Sequence, residues 1–131
     1  MNAYDIDITR LRKVFVQRTT GSEIVAINAL DLKIIEGEIV AIVGPTGCGK
    51  STLFDLIIGL ESPTSGTLLV GGSSPSADFN AFRGRIATVF QQDRLLPWRT
   101  ALDNVCLPLE LLGLPVHERH ARAIRWLDRL G

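Results

Sequence analysis

The nine residues GPTGCGKST, at positions 44–52, constrain the fold of this chain more than any other segment. They follow a run of five apolar residues at 39–43, IVAIV, which is rich in β-branched side chains. A continuous run of this kind is typical of a strand buried on both faces of a parallel sheet. After the loop, apolar residues from Leu53 to Leu60 recur at helical spacing, and Gly59 is placed to end a helix. The sequence therefore predicts a strand, a glycine-rich loop and a helix in direct succession.

The spacing inside the loop, G-x-x-x-x-G-K-S, matches a pattern that holds nucleotide phosphates. Its three glycines allow backbone dihedrals that turn successive N–H groups inward, and the following helix directs its positive end to the same place. We expect the Lys50 ammonium to reach the β- and γ-phosphates and the Ser51 hydroxyl to be a Mg²⁺ ligand. A plain glycine-rich turn would explain the glycines but not the lysine. The predicted nucleotide-binding residues are Gly44, Pro45, Thr46, Gly47, Cys48, Gly49, Lys50, Ser51 and Thr52.

Other segments predict strands. Residues 6–8 and 30–34 have the two-residue alternation of half-buried strands, and a turn at Glu36-Gly37 follows the second. The segment ESPTSGTLLVGGSSP, at 61–75, is typical of a turn, a short strand and another turn. A further apolar run, IATVF at 86–90, predicts one more strand.

The C-terminal part predicts two helices. Thr100 and Asp103 form a T-x-x-D capping box at the start of a helix that runs through about Leu112, with Pro108 as a kink. A second, amphipathic helix is predicted over roughly 116–130.

Composition bounds the class of protein. The 131 residues are 46% hydrophobic and 21% charged, as in globular domains, and the formal net charge of zero does not favour nucleic acid or an anionic membrane as a partner. The longest apolar run, 39–43, is far shorter than the ~18 residues that span a bilayer. The N-terminus lacks the apolar region of a signal peptide. With only two cysteines, Cys48 and Cys106, a reduced, cytoplasmic protein is expected.

Four segments together resemble the N-terminal half of an ABC transporter nucleotide-binding domain. They are the loop itself, GEIVAIVG before it, GLESPTSGTLLVGG after it, and VFQQDRLLPWRTALDNV, and they cover nearly the whole chain. The resemblance implies an α/β P-loop ATPase core with an antiparallel β subdomain and the start of a helical subdomain, divided as 1–90 and 91–131. The group LLPW resembles importers of the nitrate, sulfonate and taurine type. The implied function is the ATP-binding subunit of an ABC importer, which uses ATP and Mg²⁺.

The resemblance also assigns roles outside the loop. Gln91 would be the Q-loop glutamine, which coordinates Mg²⁺ and orients the attacking water, and Gln92 is the alternative in register. Phe15 would stack on the adenine ring, since stacking needs only a π-face, although a core phenylalanine is the alternative. Val25 would flank the base or pack in the core.

Four consecutive apolar residues, Leu95, Leu96, Pro97 and Trp98, follow Gln91. An exposed apolar patch marks a partner surface, and a buried loop is the alternative. In the ABC family this region docks on a coupling helix of the membrane permease. The implied partners are a transmembrane permease subunit, a second nucleotide-binding subunit and, indirectly, a periplasmic or lipid-anchored solute-binding protein, with no nucleic acid. The protein would then be peripheral on the inner face of the cell membrane.

The remaining arginines, histidines and cysteines of note are expected to have structural rather than functional roles. The arginines at 119, 122, 125 and 129 share one side of the last helix, which favours a solvated charged face over a nucleic-acid surface. His117 and His120 lack partners at metal-ligand spacing. Cys48 is interpreted as the small residue that the loop tolerates rather than a redox-sensitive thiol, and Cys106 as a core residue.

Several family motifs do not occur within the 131 residues. The sequence contains no Walker B strand that ends in Asp-Glu and no L-S-G-G-Q signature. We therefore expect a truncated domain that holds a nucleotide weakly without hydrolysing it, and an unpaired apolar edge at strand 39–43. Two alternatives stay open: a regulatory or interaction fragment that binds nucleotide without turnover, and a soluble ABC ATPase of DNA repair or translation.

Overall fold

The computed structural model describes residues 5–92 and 94–131. The chain divides into two compact units, one that ends at Phe82 and one that begins at Arg83. The first unit contains a sheet, the glycine loop with its helix, and a 3₁₀ turn at Phe79–Phe82; the second contains two helices. The division after residue 90 that the resemblance implies concerns the subdomains of the family and stays a prediction.

The sheet of the first unit is antiparallel. Its strands β1 (Ile6–Val16), β2 (Glu23–Ile34) and β3 (Ser65–Val70) lie in the order β2-β1-β3. In the central strand, Ile8 lies opposite Leu32 of β2 and Leu68 of β3. The two alternating segments of the sequence are parts of β1 and β2, and the short strand predicted within 61–75 is β3. The predicted antiparallel β subdomain is thus present.

The helix α1 (Lys50–Ile57) covers one face of this sheet. It ends where Gly59 takes a φ of 79°, a conformation that favours glycine, and the N–H of Leu60 then donates to the carbonyl of Asp55 at 2.8 Å. Leu60 therefore lies outside the helix and is 62% exposed. The buried core of the unit comprises Ile8, Leu11, Ile27, Leu53, Leu56 and Leu68.

The prediction of a buried strand at 39–43 is wrong for this structure. The segment has no regular secondary structure, Ile39 is 99% exposed and Val43 is 87% exposed. A strand exists only where neighbouring chains accept and donate its backbone hydrogen bonds. The sheet formed by the described residues contains β1, β2 and β3 and does not extend to this run. The apolar run is thus unpaired, as expected, but without the strand conformation.

The predicted strand at 86–90 is also absent. Val89 is 97% exposed and Phe90 is 43% exposed. The physical reason is the same, because within the described residues no strand lies beside this run to pair with it. Gln91 therefore follows an irregular segment rather than the end of a strand.

Both predicted helices of the second unit are present, as α2 (Ala101–Leu111) and α3 (Val116–Leu130). Thr100 caps α2, since its Oγ accepts a hydrogen bond from the N–H of Asp103 at 3.1 Å. Pro108 lies inside α2, where its missing N–H leaves one carbonyl a turn earlier without its helical partner. Cys106 is 1% exposed, which confirms its prediction as a core residue.

Candidate functional site

The glycine loop is a tight turn that leads directly into α1. The N–H of Cys48 donates to the carbonyl of Pro45 at 3.4 Å, and Gly47 and Gly49 have φ values of 82° and 97°. At these positive φ values, the backbone of any residue other than glycine is strained. The loop glycines that the sequence singles out therefore have the conformational role expected of them at these two positions.

Gly49 is also required by space. A side-chain carbon at this position would lie 2.4 Å from the carbonyl oxygen of Ala26 on β2. The first residue before α1 thus rests against the backbone of the sheet. At the other end of the loop, a side-chain carbon on Gly44 would lie 2.9 Å from the sulfur of Cys48. The contact at Gly49 is with backbone, which cannot move aside, whereas the contact at Gly44 is with the end of the Cys48 side chain.

Lys50 folds back over the loop that precedes it. Its Nζ donates to the carbonyl of Gly44 at 2.9 Å and to the carbonyl of Pro45 at 2.7 Å, and it lies 3.6 Å from the sulfur of Cys48. An ammonium group has three N–H donors, and all three contacts fall on residues 44–48. The positive charge of Lys50 is thereby held at the loop rather than extended into solvent.

The N-terminus of α1 keeps backbone donors available. No side chain caps the helix, and the first N–H that finds a carbonyl one turn back is that of Leu53, which donates to Gly49 at 2.9 Å. The N–H groups of residues 50–52 come before it and have no acceptor within the helix. Ser51 is exposed and Thr52 is half-buried on this first turn. Unpaired donors, the helix dipole and the lysine together make a site for an anion.

The N–H donors and the ammonium at this site are of the kind that bind an anion. Among the residues that the structure describes, no three His, Cys, Asp or Glu side chains converge on a metal position. The expected Mg²⁺ ligands, Ser51 and Gln91, are of other residue types, and their role as ligands stays a prediction.

Phe15 lies on β1 opposite Ile24 of β2. Its side chain is not part of the core, because the residue is 37% exposed, and Val25 is 49% exposed. The ammonium of Lys13 lies 4.8 Å from the centre of the Phe15 ring. Core packing therefore does not account for Phe15 or Val25, and the role of Phe15 at the adenine ring stays a prediction.

Gln91 and Gln92 are both exposed and lie outside regular secondary structure. The neighbouring Asp93 lies outside the described residues. Exposure alone does not separate the two glutamines, so the choice of Gln91 over Gln92 rests on the resemblance.

The apolar group LLPW forms an exposed turn. The N–H of Arg99 donates to the carbonyl of Leu96 at 3.1 Å, which places Pro97 at the second turn position that proline favours. Leu95 is 68% exposed and Trp98 is 77% exposed. The alternative of a buried loop is therefore wrong. Leu95, Pro97 and Trp98 form an exposed apolar patch on a defined backbone, and Leu96 is half-buried.

Asn104 fixes this turn, and sequence reasoning did not single it out. Its side chain accepts from the N–H of Leu96 at 2.8 Å and donates to the carbonyls of Leu96 at 3.2 Å and Thr100 at 2.9 Å. The amide thereby joins the turn to the first turn of α2. An asparagine at this helical position is the only sequence signal, and it is a weak one.

Ion pairs connect the LLPW turn, α2 and α3 within the second unit. Glu110 lies 3.0 Å from Arg99 and 3.6 Å from Arg119. The hydrogen bond from Arg99 holds the pKa of Glu110 below its usual value. In the same way, the hydrogen bond from Thr100 lowers the pKa of Asp103.

The arginines of α3 have partners within their own unit. Arg122 lies 2.5 Å from Glu118, Arg119 contacts Glu110, and Arg129 stacks 4.7 Å from the ring centre of Trp126. These contacts favour the interpretation of a solvated charged face. An open cleft also lies between α2 and α3, lined mainly by Val105, Pro108, Leu109, Ala121, Arg125 and Trp126, and none of the predicted site residues lines it.

Comparison with known proteins identifies the family. The family model described as ABC transporter matches residues 27–131, which include the glycine loop, α1 and the LLPW turn. The chain belongs to the ABC transporter family. No helix within 5–92 or 94–131 is long and apolar enough to cross a membrane.

Curated relatives extend over most of this ABC transporter chain. It is 41% identical over 128 residues to the methionine import ATP-binding protein MetN 1 of Rhodopseudomonas palustris, covering 95% of this chain and 34% of that protein. It is 43% identical over 130 residues to MetN of Xanthomonas oryzae pv. oryzae, covering 96% and 38%. An uncharacterized ABC transporter ATP-binding protein of Methanocaldococcus jannaschii is 39% identical, with 96% and 45% covered. The chain therefore spans less than half the length of these relatives.

Solved ABC cassettes share the fold. The dimeric ATP-binding cassette MJ0796, in a post-hydrolysis state bound to ADP and Pi, matches with a TM-score of 0.80 and 34% identity. The match covers 94% of this chain and 56% of that one. The ABC ATPase fold class is thereby confirmed. The narrower expectation of a nitrate, sulfonate or taurine importer is not supported, because two of these relatives are named for methionine import and none for those solutes.

Proposed function

We propose that this chain is part of the ATP-binding subunit of an ABC importer, and that residues 44–52 hold the phosphates of ATP. The observation that carries the proposal is the arrangement at Lys50, whose ammonium is held on the loop within 3 Å of two carbonyl oxygens at the open N-terminus of α1. This arrangement concentrates positive charge and N–H donors on one side of the loop, as an anionic ligand requires.

Phosphate binding would use the chain's own groups as follows. The N–H groups of residues 50–52 donate to phosphate oxygens, and the Lys50 ammonium exchanges its loop carbonyls for them. Mg²⁺, when bound, supplies positive charge against the phosphate oxygens, and Ser51 and Gln91 are its proposed ligands. Phe15, exposed on β1, is proposed to stack on the adenine ring.

The LLPW turn supports an importer with a membrane partner. Leu95 and Trp98 are exposed apolar side chains on a turn that hydrogen bonds to Asn104 hold in place. Aromatic and aliphatic anchors on a rigid backbone are typical of the centre of a protein interface. We propose that this patch binds the permease at the inner face of the cell membrane.

Dimerisation and the solute are parts of the same proposal. The dimeric form of the MJ0796 cassette supports a second nucleotide-binding subunit as partner. The names of the MetN relatives favour methionine over nitrate, sulfonate or taurine as the solute, and a solute-binding protein would be an indirect partner. The same names count against an ABC ATPase of DNA repair or translation.

Turnover is proposed to need groups beyond residues 1–131. These residues contain no Asp-Glu pair to activate water and no signature sequence to complete a partner's site. Binding of the ground state alone leaves the barrier to hydrolysis almost unchanged. The polypeptide 1–131 is therefore expected to bind ATP and to release no phosphate from it.

The test compares ligands that differ in their phosphates. Purified 1–131 is titrated with Mg-ATP and with AMP, and phosphate release is followed with the Lys50→Ala variant as the contamination control. The proposal expects ATP to bind more tightly than AMP and phosphate release to match the control. Equal affinities for ATP and AMP would refute the phosphate loop, and release above the control would refute the account of turnover.

A further inference from the structure

Lys13 on β1 is a buried charge with three partners. The residue is only 9% exposed, although lysine is seldom buried without a partner. Its Nζ donates to the Glu61 carboxylate at 2.6 Å and to the Ser62 carbonyl at 2.8 Å, and it lies 4.8 Å from the centre of the Phe15 ring. The ammonium therefore joins the segment after α1 to the exposed aromatic ring on β1.

The segment that holds Lys13 is itself fastened to β1. The N–H of Thr64 donates to the carbonyl of Arg12 at 2.9 Å, and the hydroxyl of Thr64 accepts from the N–H of Val14 at 2.9 Å. Residues 61–64 follow the helix that begins at the phosphate loop, so these contacts connect that helix to the strand that carries Phe15. The position of the Lys13 ammonium is consequently fixed by its own strand, β1, and by the segment 61–64 that is hydrogen-bonded to it.

The ring of Phe15 is not enclosed by the core, since the residue is 37% exposed. It lies outside the core of the unit and next to two other exposed apolar residues, Val16 and Ile24. A cation over the face of an aromatic ring attracts it through the ring quadrupole, and the attraction is stronger where the cation is shielded from water, as Lys13 is. Lys13 thus favours one ring orientation and occupies one face of the ring.

We propose that Lys13 is a positioning residue for nucleotide binding, because its tethered ammonium holds the Phe15 ring so that the opposite face is presented to a nucleobase. The inference rests on the proposed function, in which Phe15 stacks on the base of ATP. Lys13 acts through Phe15 and does not contact the phosphates.

A purely structural role makes a different prediction. If Lys13 only secures residues 61–64, its loss should disturb α1, which precedes them. The affinity for every phosphate ligand should then fall by the same factor. If Lys13 positions Phe15, its loss should weaken the binding of ligands that contain a base and leave the binding of ligands without a base unchanged. The comparison of Mg-ATP with Mg-tripolyphosphate, which has no base, separates the two roles.

The experiment measures the affinity of both ligands for the wild type, Lys13→Met, Lys13→Arg and Phe15→Ala. Methionine is an unbranched side chain one atom shorter than lysine and carries no charge, and arginine keeps a cation for the ring. We expect Lys13→Met to weaken ATP binding roughly threefold to tenfold with tripolyphosphate binding unchanged, and Lys13→Arg to restore the preference for ATP. In the Phe15→Ala background, Lys13→Met should have no further effect on ATP.

Three results would overturn the inference. Lys13→Met could lose affinity for ATP and tripolyphosphate equally, it could lose no affinity for ATP, or it could lose as much ATP affinity in the Phe15→Ala background as in the wild type. If Lys13→Met does not fold, Glu61→Ala, which releases the ammonium without removing it, must show the selective loss of ATP affinity. A wild type that binds neither ligand would refute the proposed function itself, whereas a wild type that binds both with equal losses in the variants refutes only the role of Lys13.

Discussion

The backbone of Gly49 packs directly against the backbone of Ala26, at a distance that leaves no space for a side chain on Gly49. A carbon added there would lie 2.4 Å from the Ala26 carbonyl oxygen. Because Gly49 immediately precedes α1, this contact fixes where the glycine loop ends and the helix begins relative to β2 of the same unit. The geometry of the loop thus depends on the antiparallel sheet as well as on its own glycines.

Substitution of Gly49 should therefore cost more than the loss of a flexible residue. Gly49→Ala forces a side chain into a positive φ and into the Ala26 carbonyl, and together these should lower the free energy of unfolding by about 2–5 kcal/mol. Gly37→Ala is the matched control, since Gly37 has a φ of 80° but nothing within 4 Å of an added carbon. Urea unfolding measures both variants, and equal losses would contradict a requirement for close packing at Gly49.

The exposed turn at 95–98 leads to a prediction on assembly. If this turn is the proposed docking surface, Leu95→Asp combined with Trp98→Asp should abolish co-purification with the permease, because two charges would replace its exposed apolar side chains. ATP binding should be retained, since the variant leaves the glycine loop intact. The measurement is affinity co-purification of the full-length subunit co-expressed with its permease.

A control for this variant is available on α3. Trp126 and Leu130 are the same residue types and are 57% and 83% exposed, so Trp126→Asp with Leu130→Asp introduces equal charge elsewhere. This control should still co-purify. If the 95/98 variant still co-purifies with the permease, or if both variants fail to co-purify, the turn is not the docking surface.

The second unit should lose stability in acid. The pKa of Asp103 is lowered chiefly by the Thr100 hydroxyl, and that of Glu110 chiefly by the hydrogen bond from Arg99. Because both folded-state pKa values lie below those of the unfolded chain, their stabilisation is present above about pH 4 and is lost as the pH falls through the lowered values. We expect the Asp103→Asn variant to lose less stability than the wild type between about pH 5 and pH 2. Urea unfolding across this range is the measurement, and parallel pH profiles would contradict the account.

The sequence predicts local features of this fold well and partnerships between distant residues poorly. Capping by Thr100, the end of α1 at Gly59 and the conformation of Gly49 all follow from residue types within a few positions. In contrast, the runs at 39–43 and 86–90 have the composition of strands, but a strand also needs a neighbour, and composition does not state whether one is present.

The candidate site shows the same division. The glycine conformations of the loop and the exposure of the LLPW turn could be predicted, because their patterns are continuous in sequence, while the binding roles of these residues stay predictions. The contact of Lys13 with Glu61 joins residues 48 positions apart, and no short sequence pattern links the two. Such a contact becomes visible only when the strand and the segment after α1 are brought together by folding.

If residues 44–52 hold the phosphates of ATP, the ammonium of Lys50 should contribute strongly to ATP affinity. Lys50→Ala removes a charge-assisted contact worth about 1.5–3 kcal/mol, which corresponds to roughly tenfold to a hundredfold in affinity. The matched control is Lys33→Ala, which removes a lysine of β2 that is ion-paired with Asp7. Titration with a fluorescent ATP analogue in the presence of Mg²⁺ should show strongly weakened binding for Lys50→Ala and wild-type binding for Lys33→Ala. Equal affinity of the wild type and Lys50→Ala would contradict the proposal that residues 44–52 hold the phosphates.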